Sequence, residues 1–141
     1  MSYREKLAWL SLAAMTVTFG PYFAIVSAGV FPGDAVPDFR KLGLYAAFAI
    51  AQVLILGAGH LVLRRLSPQD ARQPLDERDL EIKHRAVNWA YNVLIAGMIL
   101  VGVMMPFTSH GWAIVNAALF MIAVAEFLRY AITAVSYRRQ A

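Results

Sequence analysis

Four apolar runs, Leu7–Ala28, Leu42–Leu63, Ala86–Met105 and Gly111–Val135, occupy most of the 141-residue chain. Helices this apolar lack the broad polar face that a helix turns to solvent in a soluble protein. At 1.5 Å per residue, a run of about twenty residues crosses a hydrocarbon core about 30 Å thick. A soluble domain of this size has no interior in which to hide four such helices. The pattern therefore predicts an all-α membrane protein, a single-domain compact bundle of four transmembrane helices. The expected helices cover about 7–28, 42–63, 77–105 and 111–135, with a charged linker over 64–85 that overlaps the start of the third.

Breaks in the pattern set the connections. Gly29 to Asp38 carries two prolines, two glycines and two aspartates, the composition of a turn-rich loop. The stretch from Pro106 to His110 is so short that the third and fourth helices must be antiparallel neighbours. Pro106 has no amide to donate and is expected to end the third helix, which nothing interrupts from Glu77 to Met105. Gly20-Pro21 predicts a kink in the first helix. That first run is longer than the 7–15 residues of a signal-peptide core and is expected to stay in place as a helix.

Charge orients the bundle. With the amino terminus in the cytoplasm, Arg4, Lys6, Arg64, Arg65, Arg72, Arg78, Lys83, Arg85, Arg129, Arg138 and Arg139 fall inside. Only Arg40 and Lys41 fall outside, so eleven bases face two. The positive-inside rule then places both termini and the linker in the cytoplasm, in a multi-pass cytoplasmic (inner) membrane protein. The bases gather beside run ends rather than on a surface interleaved with stacking aromatics, which argues against nucleic-acid binding. Hydrophobic residues make up 60% of the chain, and cysteine is absent, which removes thiolate chemistry from consideration.

The linker carries the densest chemistry. Pro68 and Pro74 are expected to keep its first half irregular. Asp76 then suits a helix N-cap, with Asp79 three residues later as the reciprocal acid of a capping box. Glu81 and Arg85 stand four apart, and His84, Asn88 and Asn92 follow one side at four-residue spacing. Ala86 and Ala90 lie on another side, where a neighbouring helix can come close. Asp76-Glu77-Arg78, followed by Ile82, Arg85-Ala86 and Ala90-Tyr91, resembles a family of small, poorly characterised prokaryotic membrane proteins. These carry an Asp-Glu-Arg motif just ahead of a hydrophobic helix. The resemblance covers the linker and third helix and agrees with the four-span plan. It implies weight for Asp76, Glu77 and Arg78 and work beside small regulators or export systems, but it supplies no reaction. Helix capping and partner docking through Asp76, Glu77, Arg78 and Arg85 both remain open readings of the motif.

Within the runs, Glu126 is the lone acid, with Arg129 three residues on as its expected partner. Asn88 and Asn92 approach the same inner half, which makes a polar cluster of Asn88, Asn92, Glu126 and Arg129 a second candidate. Gln52 and Asn116 are expected to bond between helices. His60 and His84 come from similar depth and in principle offer two axial haem ligands, although no attachment motif accompanies them. His110 lies at the other surface. No metal, cofactor or nucleophile–base set is otherwise visible, which points away from an enzyme. The leading expectation is a membrane accessory or regulatory protein that binds a partner or lipid through its charged linker. A transporter subunit with a cavity at Asn88, Asn92 and Glu126, and a haem protein using His60 and His84, are the alternatives. Beyond the lipid bilayer, the expected partners are a cytoplasmic or membrane protein and, through a Gly43, Ala47 and Ala51 stripe, a second copy.

Overall fold

The computed structural model describes residues 2–33 and 36–139. Asp34 and Ala35 of the turn-rich loop therefore lie outside the described residues. Five α-helices follow one another: α1 (Tyr3–Ser27), α2 (Phe39–Leu66), α3 (Pro68–Arg72), α4 (Glu77–Ile99) and α5 (Trp112–Arg139). Four helical segments are long and apolar enough to span a membrane: Tyr3–Ser27, Phe39–Leu66, Glu77–Phe107 and Trp112–Arg139. They correspond to the four apolar runs, and the described residues contain no strand.

Local chemistry explains where the helices start and stop. Ser2 caps α1 by accepting the Glu5 amide, and Asp38 caps α2 by accepting the amides of Arg40 and Lys41. Past Ser27, Gly29 takes a positive φ of 72° and its amide returns to the Val26 carbonyl, closing the helix end. α1 continues through Pro21 as one helix.

Two expectations need correction. Pro68 opens a short helix instead of breaking one, because proline's fixed φ suits the first helical position. The third span is not uniformly α-helical up to Met105. It becomes a π-helix at Leu100–Met104 and a 3₁₀ turn at Met105–Phe107. Pro106 explains the change: its ring cannot pack beside the Gly102 carbonyl four residues earlier, so the last turns widen and then tighten.

The spans pack in the order α2–α1–α5–α4, and the two end helices do not pack along each other. The bundle is thus an open row rather than a closed square. α1 is the most enclosed span and α2 the least. Small residues make the close approaches. Ala8, Leu12 and Ala134 form the α1–α5 seam, and Ile82, Ala86, Ala90 and Gly97 are the buried positions along α4. A Cβ added to Gly97 would overlap the Met121 side chain of α5, so glycine sets that distance. The Gly43 and Ala47 stripe of α2 faces outward instead. α2 meets α1 through Tyr45, Phe48 and Gln52, whose amide lies 2.7 Å from the Thr18 hydroxyl.

Outward faces are strongly apolar. Ile50, Val53, Leu54 and Leu61 of α2, and Val103, Met104 and Phe107 beyond α4, all stand exposed. A patch of this extent is the signature of a surface that meets hydrocarbon.

Candidate functional site

The four spans are tied together where the linker lies, and Asp79 is the knot. Asp76 and Asp79 form a reciprocal capping box: the Asp79 amide donates to the Asp76 carboxylate at 2.7 Å, and the Asp76 amide donates to Asp79 Oδ2 at 3.3 Å. The remaining lone pairs of Asp79 face inward. Tyr137, near the end of α5, donates its hydroxyl to Asp79 Oδ1 at 2.6 Å. Arg4, in the first turn of α1, forms an ion pair with Asp79 Oδ2 and also donates to the Gln73 carbonyl at 2.9 Å. Asp79 is only 6% exposed. A carboxylate so enclosed is tolerable because amide, hydroxyl and guanidinium donors satisfy it together.

The first turns of α1 extend the tie to the other side. The Tyr3 hydroxyl lies 3.1 Å from His60 Nδ1 on α2, and Lys6 reaches Ser67 at 3.4 Å. Residues 3–6 thus touch α2, the linker and α4, and through Asp79 they reach α5. The sequence reading gave Asp79 only a capping role and passed over Arg4 and Tyr137. The available signal was slight: an acid placed one helical turn before the buried Ile82–Ala86–Ala90 stripe, and so on its face.

The predicted docking residues divide between two roles. Asp76 is committed to the cap. Glu77 and Arg78 are exposed on the first turn of α4. Arg85 is exposed and stands 3.8 Å from Glu81, a loose pair one turn apart.

The proposed intramembrane cluster separates. Glu126 and Arg129 do pair, at 2.7 Å, and the Arg129 guanidinium lies 4.7 Å over the Tyr130 ring. Asn88 and Asn92 point away from them, exposed on α4 and without a hydrogen-bond partner among the described residues. The depression that Asn88 lines includes Glu81, His84 and Tyr91 but neither Glu126 nor Arg129. A shared cavity around Asn88, Asn92 and Glu126 is therefore not formed, because α4 turns its alanine stripe, and not its amides, toward α5. His60 and His84 are likewise not brought together. His60 takes Tyr3 as its neighbour on α2, whereas His84 is exposed on α4, at the other end of the packing order.

What emerges is one continuous polar stripe. At 100° per residue, Glu77, Glu81, His84, Asn88 and Asn92 share the side of α4 away from its buried Ile82, Ala86 and Ala90, with Arg85 on the edge nearest α5. The stripe begins in the charged first turn and ends about 22 Å along the helix, well inside the apolar run.

The far end of the bundle is aromatic. Tyr22 is fully buried, with ring centroids 4.9 Å from Phe23 and 5.3 Å from Tyr45, and Phe23 lies 5.0 Å from Phe120. The Tyr22 hydroxyl, the Trp112 indole nitrogen and the Asn116 carbonyl oxygen are buried there short of full hydrogen-bond geometry, with the Trp112 side chain beside the Tyr22 hydroxyl.

Comparison with known proteins agrees with the architecture. The family described as "Predicted membrane protein (DUF2178)" matches residues 15–141, and the chain belongs to that family. No curated protein and no solved structure matches it.

Proposed function

We propose that this family member is a membrane accessory protein that binds a second membrane protein through the polar stripe of α4, with no chemical step of its own. The linker end lies in the cytoplasm in this reading, as the distribution of bases favours. The carrying observation is the exposure of Asn88 and Asn92 on the outward face of an apolar helix. An unpaired side-chain amide facing hydrocarbon is costly, and a neighbouring helix with polar side chains relieves that cost by about 0.6–2 kcal/mol per bond. Glu81, His84 and Arg85 continue the same face beyond the membrane, where opposite charges select among partners.

The tie at Asp79 supports this reading. It holds α4 rigidly against α1 and α5 through one face and leaves the other free to dock. The three-residue motif thus supplies the cap from Asp76, and Glu77 begins the docking face.

Photo-crosslinking in the membrane tests the reading. A photoreactive residue at position 88 or 92 is expected to yield a discrete protein adduct, whereas one at position 50 on α2 yields lipid adducts. Double charge reversal, Glu81→Arg with Arg85→Glu, should abolish the protein adduct. Lipid adducts alone from positions 88 and 92 would reject the reading. An adduct of twice the chain's mass would identify the partner as a second copy.

A further inference from the structure

The α1-facing side of α4 holds a second feature, whose rim at Lys83 and Val87 adjoins the depression lined by Glu81, His84 and Asn88. Because α1 and α4 both lean on α5 without packing along each other, a groove of about 400 Å³ runs between them at the linker end. That volume falls within the range of roughly 300–1,000 Å³ seen for small-molecule clefts. Its walls are mainly apolar, with Leu7 and Ala8 from α1, Ile82, Ala86 and Val87 from α4, and Tyr130 from α5. Three cations stand along it: Arg4, Lys83 and Arg129.

Of the three cations, Lys83 is the one with no acid against it among the described residues. Asp79 is the single acid in its lining, and Arg4 and Tyr137 already occupy it. Arg129 is paired with Glu126 through one terminal nitrogen, which leaves further N–H donors on its guanidinium. Lys83 is exposed and has no hydrogen bond or ion pair among the described residues. An apolar cleft between membrane helices with surplus positive charge at its interfacial end has the chemistry of an anionic-lipid site. We infer that this groove holds one anionic phospholipid, its phosphate between Lys83 and Arg129 and one acyl chain along Leu7, Ala86 and Tyr130. The acyl wall commits the site to a lipid rather than a free phosphate. A bare ion would leave the apolar surface uncovered.

The structure also assigns the lipid a consequence. Its acyl chain fills the gap that the open row leaves between α1 and α4, so bound lipid completes the linker end beside the Asp79 tie.

The test uses the full chain reconstituted in vesicles containing equal amounts of phosphatidylglycerol and phosphatidylcholine, with retained lipid read by native mass spectrometry after gentle detergent release. One phosphatidylglycerol per chain is expected, with phosphatidylcholine not retained. Lys83→Gln should lower retention about five-fold, the effect of one lysine at an anionic surface. Val87→Trp, at an exposed wall position outside the α4–α5 seam, should abolish retention by obstructing the acyl path. Arg72→Gln, an exposed cation on α3 away from the groove, should leave retention unchanged. Equal retention of both lipids, an equal loss from Arg72→Gln and Lys83→Gln, or displacement by inorganic phosphate would each overturn the inference. Lipid retention and protein crosslinking at positions 88 and 92 are separate readouts, so either proposal can fail alone.

Discussion

The two ends of this bundle solve the same problem with opposite chemistry. At the linker end, three spans converge on a buried carboxylate whose donors come from α1, α5 and its own capping box. At the far end, rings from α1, α2 and α5 stack edge to face, and three buried polar atoms fall short of full hydrogen-bond geometry. Charge-assisted hydrogen bonds are directional and fix register, so the linker end has a defined geometry. Aromatic contacts contribute about 0.5–1.5 kcal/mol per pair beyond the area they bury and tolerate small shifts. The π-helix at Leu100–Met104 lies toward this aromatic end, just ahead of Pro106. The contrast teaches that the rigid end is where the candidate surfaces are: both the stripe and the groove begin within two turns of Asp79.

Substitutions can break that contrast. The largest effect is expected from Asp79→Ala, which removes the reciprocal half of the capping box and strands Arg4 and Tyr137. A loss of about 3 kcal/mol is expected in denaturing-detergent titration of the folded protein, and an unchanged midpoint would refute the central role given to this carboxylate. Tyr137→Phe deletes one hydrogen bond to the same group and should cost about 2 kcal/mol by the same titration. Combined with Arg4→Ala, its effect should be non-additive, because both residues serve one carboxylate. Gly97→Val probes the α4–α5 seam midway between the ends. Overlap with Met121 should destabilise by about 1–3 kcal/mol without altering the Asp79 cluster.

The aromatic end should respond in the other direction. Tyr22→Phe removes a hydroxyl that lies beside the Trp112 side chain without full hydrogen-bond geometry, so stability should hold or rise by about 1 kcal/mol. A clear loss on thermal denaturation would mean that the hydroxyl is satisfied in the membrane.

The smallest effect concerns Asp38, at the start of α2. Partial desolvation pushes its carboxyl up, but the Lys41 amide and ammonium, with the Arg40 amide, bring it below its ordinary value. A lowered folded value means that its contribution is present above the ordinary carboxylate range and fades as pH falls through the folded value. Asp38→Asn keeps the cap and should flatten this acid-side dependence in a pH series of melting curves.

The number of spans and the cap at Asp76 were legible in the chain. Those properties depend on residues close together in the chain: apolar run length, proline, and an acid three residues from its amide partner. Pairing of Glu126 with Arg129 was legible for the same reason, since one helical turn brings them together. Run length could not tell which way Asn88 and Asn92 point, because both faces of a spanning helix are apolar enough to be buried or exposed. Tertiary packing decided that. Ala86, Ala90 and Gly97 allow α5 to approach closely, and this turns the amides outward and dissolves the expected cavity. The same choice joined Arg4, Asp79 and Tyr137 across up to 75 residues of sequence. No local pattern encodes such a meeting, since it exists only once α1 and α4 settle on the two sides of α5.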